Sequence, residues 1–349
     1  MNVSLEKLEI GCRILAANFL NLRNIISVEF PITYRCNLLC SYCSQKIYVK
    51  IVEQATDREL TLEQIKNAFD MLEKLKVKRV NISGGEPLIR EDIEKILENA
   101  FLRKFTTTLT TNGILVPKYV EILRGLSVLV ISIDGEEENH DLLRGREGHK
   151  LALKAIDLAC NKGIKVVLSA VITKKTTKED VAYLLKLCDF YGISCLLSPI
   201  WDRLFVKDEW ALCHKSEKLA PESEQIKELF NFLKTNKKRK KVINSFEHFN
   251  LLIDLYNNKK SVKDKDRLKK CMAGKLFLYI SVDGDIFPCS MRCEKLLDKK
   301  IHECSFEEIL KMRNNPIKCS GCHCYIYALL NNLSKMRIRS ILHGLSISN

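Results

Sequence analysis

The stretch ITYRCNLLCSYC, residues 32–43, decides how the chain is interpreted, because its three cysteines, Cys36, Cys40 and Cys43, are spaced C-x3-C-x2-C. Thiolates are soft ligands suited to iron–sulfur clusters, and a cubane cluster has four irons to ligate. Three cysteines bind three irons and leave the fourth open to a small molecule. The alternatives are buried thiols or a zinc site. A zinc site usually has a fourth Cys or His ligand nearby, and no Cys or His lies between residues 45 and 66.

Alternating helix and strand patterns follow this stretch. A helix is predicted to start at Thr61, where Gln64 completes a capping box. The six predicted strands cover residues 27–33, 79–82, 105–110, 128–133, 165–172 and 193–199, and further helices lie near 89–100, 117–123, 150–162 and 177–191. Six such units predict an α/β fold, in which a parallel sheet with outer helices curls into a partial (β/α)6 barrel. Active-site groups are then expected at the carboxyl ends of the strands.

Small or polar residues stand at or near these strand ends and fit a nucleotide site. Strand two ends in Ser-Gly-Gly-Glu-Pro, strand three in Thr-Thr-Asn-Gly, and strand four in Ser-Ile-Asp-Gly, while strand five offers apolar surface for an adenine. Each has a plain alternative: a tight turn, core packing or, for the arginine after strand four, an exposed loop. The candidate cofactor-binding residues are Gly84, Gly85, Glu86, Asn112, Ser132, Asp134, Arg144 and Val171. His140 and His149 are predicted to be solvated loop residues.

The composition favours a cytoplasmic, metal-binding protein. The chain has 349 residues, a net charge of +14 and fifteen cysteines grouped towards both ends, which indicates metal in a reducing compartment rather than a disulfide scaffold. The first residues do not have the pattern of a secretory signal, and no apolar run approaches membrane-spanning length. The basic blocks 237–241 and 259–270 carry no interleaved aromatic residues, so nucleic-acid binding is not expected.

Together these motifs resemble the radical SAM superfamily, with Tyr42 in the aromatic position before the last cysteine. The resemblance covers about residues 27–200 and implies a six-unit partial TIM barrel. It implies a 4Fe–4S cluster on Cys36, Cys40 and Cys43 whose open iron is chelated by the amino and carboxylate groups of S-adenosylmethionine. In similar enzymes the Gly-Gly-Glu-Pro turn contacts the methionyl amino group, and Ser and Asp positions of strand four hold the ribose. An arginine near the position of Arg144 meets the carboxylate of S-adenosylmethionine or the substrate.

A second group of cysteines resembles the C-terminal extensions called SPASM and twitch. Cys271, Gly284 and Cys289 follow the pattern C-x12-G-x4-C, with a hairpin predicted over residues 276–288 and its turn at Asp283-Gly284. The later run is C-x2-C-x-C, shorter than a full SPASM pattern, which favours a twitch-like form with one auxiliary 4Fe–4S cluster. The predicted ligands are Cys271, Cys289, Cys319 and Cys322, while Cys293, Cys304 and Cys324 stay unassigned. A structural zinc site is the alternative.

Five regions follow from these patterns. An N-terminal amphipathic helix (1–26), a barrel core (27–200), a helical bridge (201–270), a small Cys-rich twitch- or SPASM-like subdomain (271–325) and a C-terminal amphipathic helix (326–349) are predicted. Both terminal helices carry Lys and Arg among their apolar residues. They either pack on the barrel, which the open barrel edges favour, or lie peripherally on a membrane surface.

The expected function is radical chemistry on a substrate C–H bond. The resemblance implies that an electron donor such as flavodoxin or ferredoxin reduces the cluster, and that S-adenosylmethionine is cleaved to a 5′-deoxyadenosyl radical. The substrate is expected to be a peptide or a small molecule. Two alternatives remain: a lipid- or isoprenoid-modifying radical SAM enzyme at the membrane surface, and a non-catalytic metal-binding partner protein.

Overall fold

Six parallel strands alternate with helices at the centre of the fold. The computed structural model describes residues 12–13, 24–43, 58–200, 203–206, 209–212, 217–257, 272–290 and 295–312. The strands are β1 Ser27–Pro31, β2 Arg79–Ser83, β3 Thr106–Thr111, β4 Val128–Ser132, β5 Val166–Ile172, β6 Ser194–Pro199, β7 Arg203–Val206, β8 Glu209–Leu212, β9 Phe277–Ile280 and β10 Ile286–Phe287. The α-helices are α1 Leu62–Lys74, α2 Ile93–Leu102, α3 Val116–Leu123, α4 Glu137–Arg144, α5 Gly148–Asn161, α6 Lys178–Phe190, α7 Ser223–Thr235, α8 Phe246–Asn257 and α9 Phe306–Lys311.

The sheet has the order β10-β9-β1-β2-β3-β4-β5-β6, and β1 to β6 are all parallel. This confirms the predicted α/β fold of a six-unit partial TIM barrel. Along each of these strands, fully buried residues such as Val28, Ile82 and Leu129 alternate with half-buried ones. The buried set packs under the helices, because successive side chains of a strand point to opposite faces. The other set forms the inner face of the sheet.

The start of α1 is confirmed. The side chain of Thr61 accepts a hydrogen bond from the backbone of Gln64, and the Gln64 side chain accepts one from the Thr61 backbone, which satisfies two free N–H groups at the helix start. The helix then buries Phe69, whose ring meets the edges of Phe30 on β1 and Phe105 before β3 at 5.9 and 5.8 Å. These contacts fix α1 on the strand that leads into the cysteines.

Two elements differ from the sequence expectation. Helix α4 lies where a loop was expected, because its only buried apolar residue, Leu143, gives no periodic pattern, whereas acidic residues in its first turn and Arg144 in its last favour a helix. Strands β7 and β8 form an antiparallel hairpin in the region expected to be a helical bridge. Helices α7 and α8 do form in that region, and Phe230 stacks on Phe249 between them at 4.0 Å.

Both outer edges of the parallel sheet are covered. At one edge β9 pairs in parallel with β1, and β10 returns antiparallel to β9, so the predicted hairpin exists and also extends the sheet. At the other edge the Asn244 side chain accepts from the backbone N–H of Leu197 and donates to its carbonyl, both at 2.8 Å. The backbone of Ile243 also donates to the carbonyl of Cys195 at 2.8 Å. A side-chain amide thus imitates a neighbouring strand beside β6.

The N-terminal helix prediction lies outside the described residues except at Cys12 and Arg13, which are helical. The Arg13 guanidinium donates to the carbonyl of Lys76, just beyond the end of α1, at 2.5 Å and to the carbonyl of Ile25, which precedes β1, at 2.7 Å. A cation suits this position, since carbonyls at a helix end carry partial negative charge. This contact favours packing of the N-terminal segment on the barrel. None of the described helices combines the length and apolarity needed to cross a bilayer, and the predicted C-terminal helix lies outside the described residues.

We expect Arg13→Ala to lower the free energy of unfolding by about 1 kcal/mol, because it removes charged hydrogen bonds to these carbonyls. Urea denaturation of the cluster-free protein measures the change. Arg124→Ala, which removes an exposed pair with Glu121, is the control and should cost less than about 0.5 kcal/mol. Equal stability of the Arg13 variant and the parent, together with co-sedimentation of the parent with anionic vesicles, would instead favour the membrane-surface role of this segment.

Candidate functional site

The three cysteines lie on one loop that leaves the carboxyl end of β1. This cysteine loop, residues 32–43, runs past the carboxyl ends of β2, β3 and β4, where the sequence predicts the functional groups. Each of these strand ends makes specific contacts with it. The loop is therefore held by the same residues that were proposed to bind the cofactor.

The first anchor is the turn after β2. Backbone N–H groups of Gly85 and Glu86 donate to the carbonyls of Thr33 and Arg35, each at 2.8 Å. A Cβ added at Gly84 would lie 2.5 Å from the Thr33 carbonyl oxygen, and one at Gly85 would lie 2.6 Å from that of Tyr34. The two glycines are thus required by the approach of the cysteine loop itself. Contact of this turn with S-adenosylmethionine stays a prediction.

Glu86 joins the end of β2 to the end of β3. Its carboxylate is fully buried and accepts hydrogen bonds from the Thr111 hydroxyl at 2.8 Å and from the backbone N–H groups of Asn112 at 2.7 Å and Leu88 at 3.1 Å. Burial raises the pKa of Glu86 to about 7, although these hydrogen bonds favour the charged form. The described contacts of Glu86 are with the protein, and its proposed contact with the cofactor is untested.

Asn112 forms the second anchor. Its amide nitrogen donates to the side-chain oxygen of Asn37, inside the cysteine loop, at 2.8 Å. Its own oxygen accepts from the backbone of Ile114 at 3.0 Å, which fixes the orientation of the amide. Asn112 is therefore more than a turn residue, because it positions the segment between Cys36 and Cys40.

Asp134 forms the third anchor and is completely buried. It accepts from the hydroxyl of Tyr42 at 2.7 Å, from the Arg144 guanidinium at 2.7 and 3.0 Å, and from the backbone N–H of Val171 at 2.9 Å. Burial alone would raise the pKa of Asp134, but the charge and hydrogen bonds of Arg144 hold it below its ordinary value. Arg144 is 8% exposed, so the alternative of an exposed loop arginine is wrong.

Two buried charged residues that the sequence analysis missed hold the beginning of the cysteine loop. Glu59 accepts from the Thr33 hydroxyl at 2.6 Å and from the Tyr34 backbone at 3.0 Å. Arg90 donates to the carbonyls of Ile32 at 2.8 Å and Leu60 at 3.1 Å, and pairs with Asp92. Periodicity does not reveal such residues. The one available signal is that Arg90 lies three residues after the Gly-Gly-Glu-Pro turn.

Burial and mutual proximity shift the pKa values of two of the three thiols. Burial raises the pKa of Cys36 to about 11 and that of Cys40 above its ordinary value; Cys43 adds to both shifts, and Arg144 opposes the shift at Cys40. Such mutual effects require thiols that lie near one another. Within the described residues, no three Cys, His, Asp or Glu side chains converge on a single ion. Cluster thiolates bind separate irons, so the donor set fits a 4Fe–4S cluster.

Comparison with known proteins agrees with this arrangement. The family model described as the radical SAM superfamily matches residues 30–188, which include the cysteine loop and its three anchors. Residues 30–188 belong to the radical SAM superfamily. The remainder of the chain lies outside this match.

Curated relatives and solved structures extend the likeness. Mycofactocin maturase MftC of Mycolicibacterium smegmatis is 26% identical over 268 residues, which are 76% of this chain and 64% of that protein. Pre-heme d1 synthase of Dinoroseobacter shibae is 33% identical over 172 residues, 48% of this chain and 41% of that protein. The alignment thus spans less than two thirds of each relative.

Two solved structures share the fold. Streptococcus suis SuiB bound to S-adenosylmethionine has a TM-score of 0.63 at 18% identity, covering 90% of this chain and 70% of that one. The structure of anSMEcpe with bound AdoMet has a TM-score of 0.60 at 17% identity, covering 93% of this chain and 100% of that one. At these identities the likeness concerns the fold alone.

The remaining predicted cofactor residues of the radical SAM domain lie on the inner face of the sheet. Ser132 is half-buried at the end of β4 and pairs in register with Ser169 on β5. The Val171 side chain is half-buried on β5, while its backbone is held by Asp134. Their positions allow contact with a ligand on the inner face, and their roles toward ribose and adenine stay predictions.

The predicted auxiliary site is described only in part. Cys289 is buried two residues after β10, whereas Cys271, Cys319 and Cys322 lie outside the described residues, as do Cys293 and Cys324. Cys304 lies in the hydrophobic core, and its thiol donates to the carbonyl of Lys300 at 3.1 Å. These contacts are those of a packed thiol. The four-cysteine ligand set stays a prediction.

The prediction that His140 and His149 are solvated is wrong. They are 1% and 6% exposed, on α4 and α5, with their rings in edge contact at 5.7 Å. His140 accepts from the backbone N–H of Asp134 at 3.2 Å through Nδ1, so its proton resides on Nε2. Burial, with the charge of Arg144, lowers the pKa of His140 to about 4. His140 is thus a neutral support beneath Asp134.

This support predicts a pH dependence. Between about pH 6.5 and 4 the unfolded chain protonates His140 and the folded chain does not, so this residue's contribution to stability is lost as the pH falls. The full shift corresponds to about 3 kcal/mol. His140→Asn keeps an acceptor for the Asp134 backbone but does not titrate. Urea unfolding of the cluster-free proteins at pH 7 and pH 5 should show a smaller loss for the variant, and equal losses would contradict the assignment.

Proposed function

We propose that this chain is a radical SAM enzyme that removes hydrogen from a C–H bond of a substrate. The first candidate for that substrate is a peptide. The observation that carries the proposal is the cysteine loop, which offers three thiols and is fixed by the ends of β2, β3 and β4. When bound, the 4Fe–4S cluster and S-adenosylmethionine supply reductive cleavage to a 5′-deoxyadenosyl radical. The protein supplies the ligands, the orientation and a protected face.

Residues of this chain are suited to these tasks. Cys36, Cys40 and Cys43 would ligate the cluster, and Arg144 would meet the carboxylate of S-adenosylmethionine. Support for the role of Arg144 comes from its geometry: Nε and Nη2 bind Asp134, and the described contacts leave Nη1 without a hydrogen bond. A guanidinium can hold two carboxylates at once, because it has five N–H donors. Ser132 would bind the ribose, and Val171 would contact the adenine.

The inner face of the sheet is where we place the substrate. Its half-buried residues include many small polar side chains, such as Asn81, Thr108, Thr110, Ser169 and Ser198. The Asn81 oxygen accepts from the hydroxyls of Thr108 at 2.8 Å and Thr110 at 3.5 Å. Among the described contacts, its amide nitrogen has no acceptor and can donate to a ligand. Such a surface suits a substrate with polar groups better than it suits a lipid chain.

Peptide substrates are favoured by the relatives. One curated relative is named a maturase, and SuiB, which shares the fold, has been solved with a precursor peptide, SuiA. Other relatives are named GTP 3′,8-cyclase and pre-heme d1 synthase, so a small-molecule substrate is the second candidate. An auxiliary 4Fe–4S cluster at the C-terminal cysteines would accept an electron from the substrate radical, bind the substrate or relay electrons. Flavodoxin or ferredoxin is the proposed electron donor.

Anaerobically reconstituted protein should form 5′-deoxyadenosine from S-adenosylmethionine with dithionite, and with a reduced flavodoxin in its place. Short peptides encoded beside the gene should raise the rate, and the peptide should change in mass in step with 5′-deoxyadenosine. High-performance liquid chromatography and mass spectrometry measure both. Stimulation by GTP or a tetrapyrrole but by none of the peptides would favour the small-molecule candidate. No 5′-deoxyadenosine under any condition would contradict the proposed function.

A further inference from the structure

The carboxylate of Asp134 has no hydrogen-bonding capacity left. A carboxylate offers about four lone-pair sites. Oδ1 accepts from Arg144 Nη2 and the Val171 backbone, and Oδ2 accepts from Arg144 Nε and the Tyr42 hydroxyl, at distances of 2.7 to 3.0 Å. The side chain is 0% exposed. Ribose hydroxyls could bind here only by displacing a partner that the protein already supplies.

The partners of Asp134 come from separate elements. Tyr42 stands between Cys40 and Cys43 in the cysteine loop, Arg144 ends α4, and Val171 belongs to β5. The guanidinium of Arg144 also lies 5.5 Å from the centre of the Tyr42 ring, at a distance typical of cation–π contact. Beside this pair, the backbone of Ser41 donates to the carbonyl of Leu143 at 2.8 Å. The Cys40–Cys43 turn is thus attached to α4 at two adjacent residues.

The opposite side of Asp134 is equally constrained. His140 receives the Asp134 backbone N–H, and Asp180 at the start of α6 receives that of Glu136 at 2.9 Å. Gly135 has φ +148°, and a Cβ there would lie 2.6 Å from the Cβ of Asp180. The chain around Asp134 therefore has little freedom to move when a ligand arrives.

We propose that Asp134 and Arg144 are positioning residues that, with Tyr42, form a buried clasp fixing the Cys40–Cys43 turn for cluster binding, and that Asp134 does not bind the ribose. The role of the clasp in cluster binding rests on the proposed function. The contacts that form the clasp are present in the cluster-free chain. It assigns the ribose to other groups of the inner face, such as Ser132. Arg144 serves both sides, with two nitrogens on Asp134 and Nη1 available to a carboxylate.

The first test labels thiols in the reduced, cluster-free protein. Tyr42→Phe removes one hydroxyl, and Arg144→Lys keeps the charge but loses the two-pronged contact. N-ethylmaleimide labelling, followed by peptide mass spectrometry, should show Cys40 and Cys43 reacting about tenfold faster in both variants, the factor that loss of one charged hydrogen bond gives. Cys188 and Cys195, which are 0% exposed on α6 and β6, report on the rest of the fold and should not change.

Arg103→Lys provides the matched control, since Arg103 also binds a carboxylate, that of Asp70, through Nε and Nη2, but far along the chain from the cysteines. It should leave the labelling of Cys40 and Cys43 unchanged. Unchanged labelling in Tyr42→Phe and Arg144→Lys would overturn the clasp. A parallel rise at Cys188 and Cys195 would also overturn it, because the contacts would then support the whole fold rather than the loop.

The second test concerns the ribose and uses the cluster-loaded protein. Binding of S-adenosylmethionine and of its 2′-deoxy and 3′-deoxy analogues is measured for the parent and for Asp134→Asn, by the change in the electron paramagnetic resonance signal of the reduced cluster. If Asp134 does not hold the ribose, each missing hydroxyl lowers affinity by the same factor in both proteins. Disappearance of that factor in Asp134→Asn would overturn the assignment. If the protein carries no cluster or does not bind S-adenosylmethionine, the proposed function fails and this second test cannot be made. The labelling result, which uses cluster-free protein, would still decide whether the clasp exists.

Discussion

Replacing Cys36, Cys40 and Cys43 together by alanine is expected to abolish cleavage of S-adenosylmethionine. The three thiols are the donors of the cysteine loop, and without them the loop offers no soft ligand to iron. The reaction is followed as 5′-deoxyadenosine formed with dithionite in anaerobically reconstituted protein. Cys160→Ala, on the outer helix α5, is the control and should cleave at the parent rate. Undiminished cleavage by the triple variant would contradict the cluster assignment.

The iron content of the same proteins separates the two cysteine groups. The parent should bind about eight irons if both clusters form, and the triple variant should keep about four at the C-terminal cysteines. Iron and acid-labile sulfide assays after anaerobic isolation measure this. Zinc in place of the retained iron would instead support a structural metal site, and loss of all iron from the variant would argue against a second cluster.

Gly85→Ala is expected to destabilise the protein by about 3 kcal/mol and to prevent normal cluster loading. The added Cβ would strike the carbonyls of Tyr34 and Arg35, and neither backbone can yield without moving the cysteine loop. Urea unfolding of the cluster-free protein and iron content after reconstitution measure the two effects. Both should appear together, because one collision causes them.

Gly163→Ala is the matched control. Gly163 has φ +73° and nothing within 4 Å of an added Cβ, so alanine there meets only backbone strain of about 1 kcal/mol. This variant should load iron like the parent. If Gly85→Ala proved as stable and as well loaded as Gly163→Ala, the close approach of the β2 turn to the cysteine loop would not be a requirement of the fold.

Much of the fold follows from local patterns. The six parallel strands and the start of α1 are predicted within one or two residues by periodicity and capping, since each buries a regular set of apolar side chains. Helix α4 and the β7–β8 hairpin are not, because they contribute few buried apolar residues or lie in a stretch dominated by charge. The joining of β9 to β1 is also beyond reach, because strand pairing between distant segments leaves no local signal.

The candidate site, like the fold, is only partly predictable from local sequence patterns. Cysteine spacing predicts the donors and their place at the strand ends, since both depend on short motifs. The buried charges Glu59 and Arg90 and the polar pair Tyr42 and Asp134 depend instead on contacts between residues about 30 to 90 positions apart. A sequence shows that such groups exist. It does not show that they are buried away from water, or which residue of the folded chain is their hydrogen-bond partner. For this reason His140 was expected in solvent and lies in the interior.

The side chain of Asn244 beside β6 has a consequence for the protein before its metal arrives. An exposed sheet edge offers unpaired N–H and C=O groups on which strands of other molecules can assemble. Here the backbone of Leu197 is occupied by a single amide that cannot be extended into a further strand, and at the opposite edge β10 is only two residues long. In the described part of the chain, neither end of the sheet presents a long template for aggregation. The edges of the described sheet therefore give neighbouring molecules little free backbone to pair with, even before metal binds.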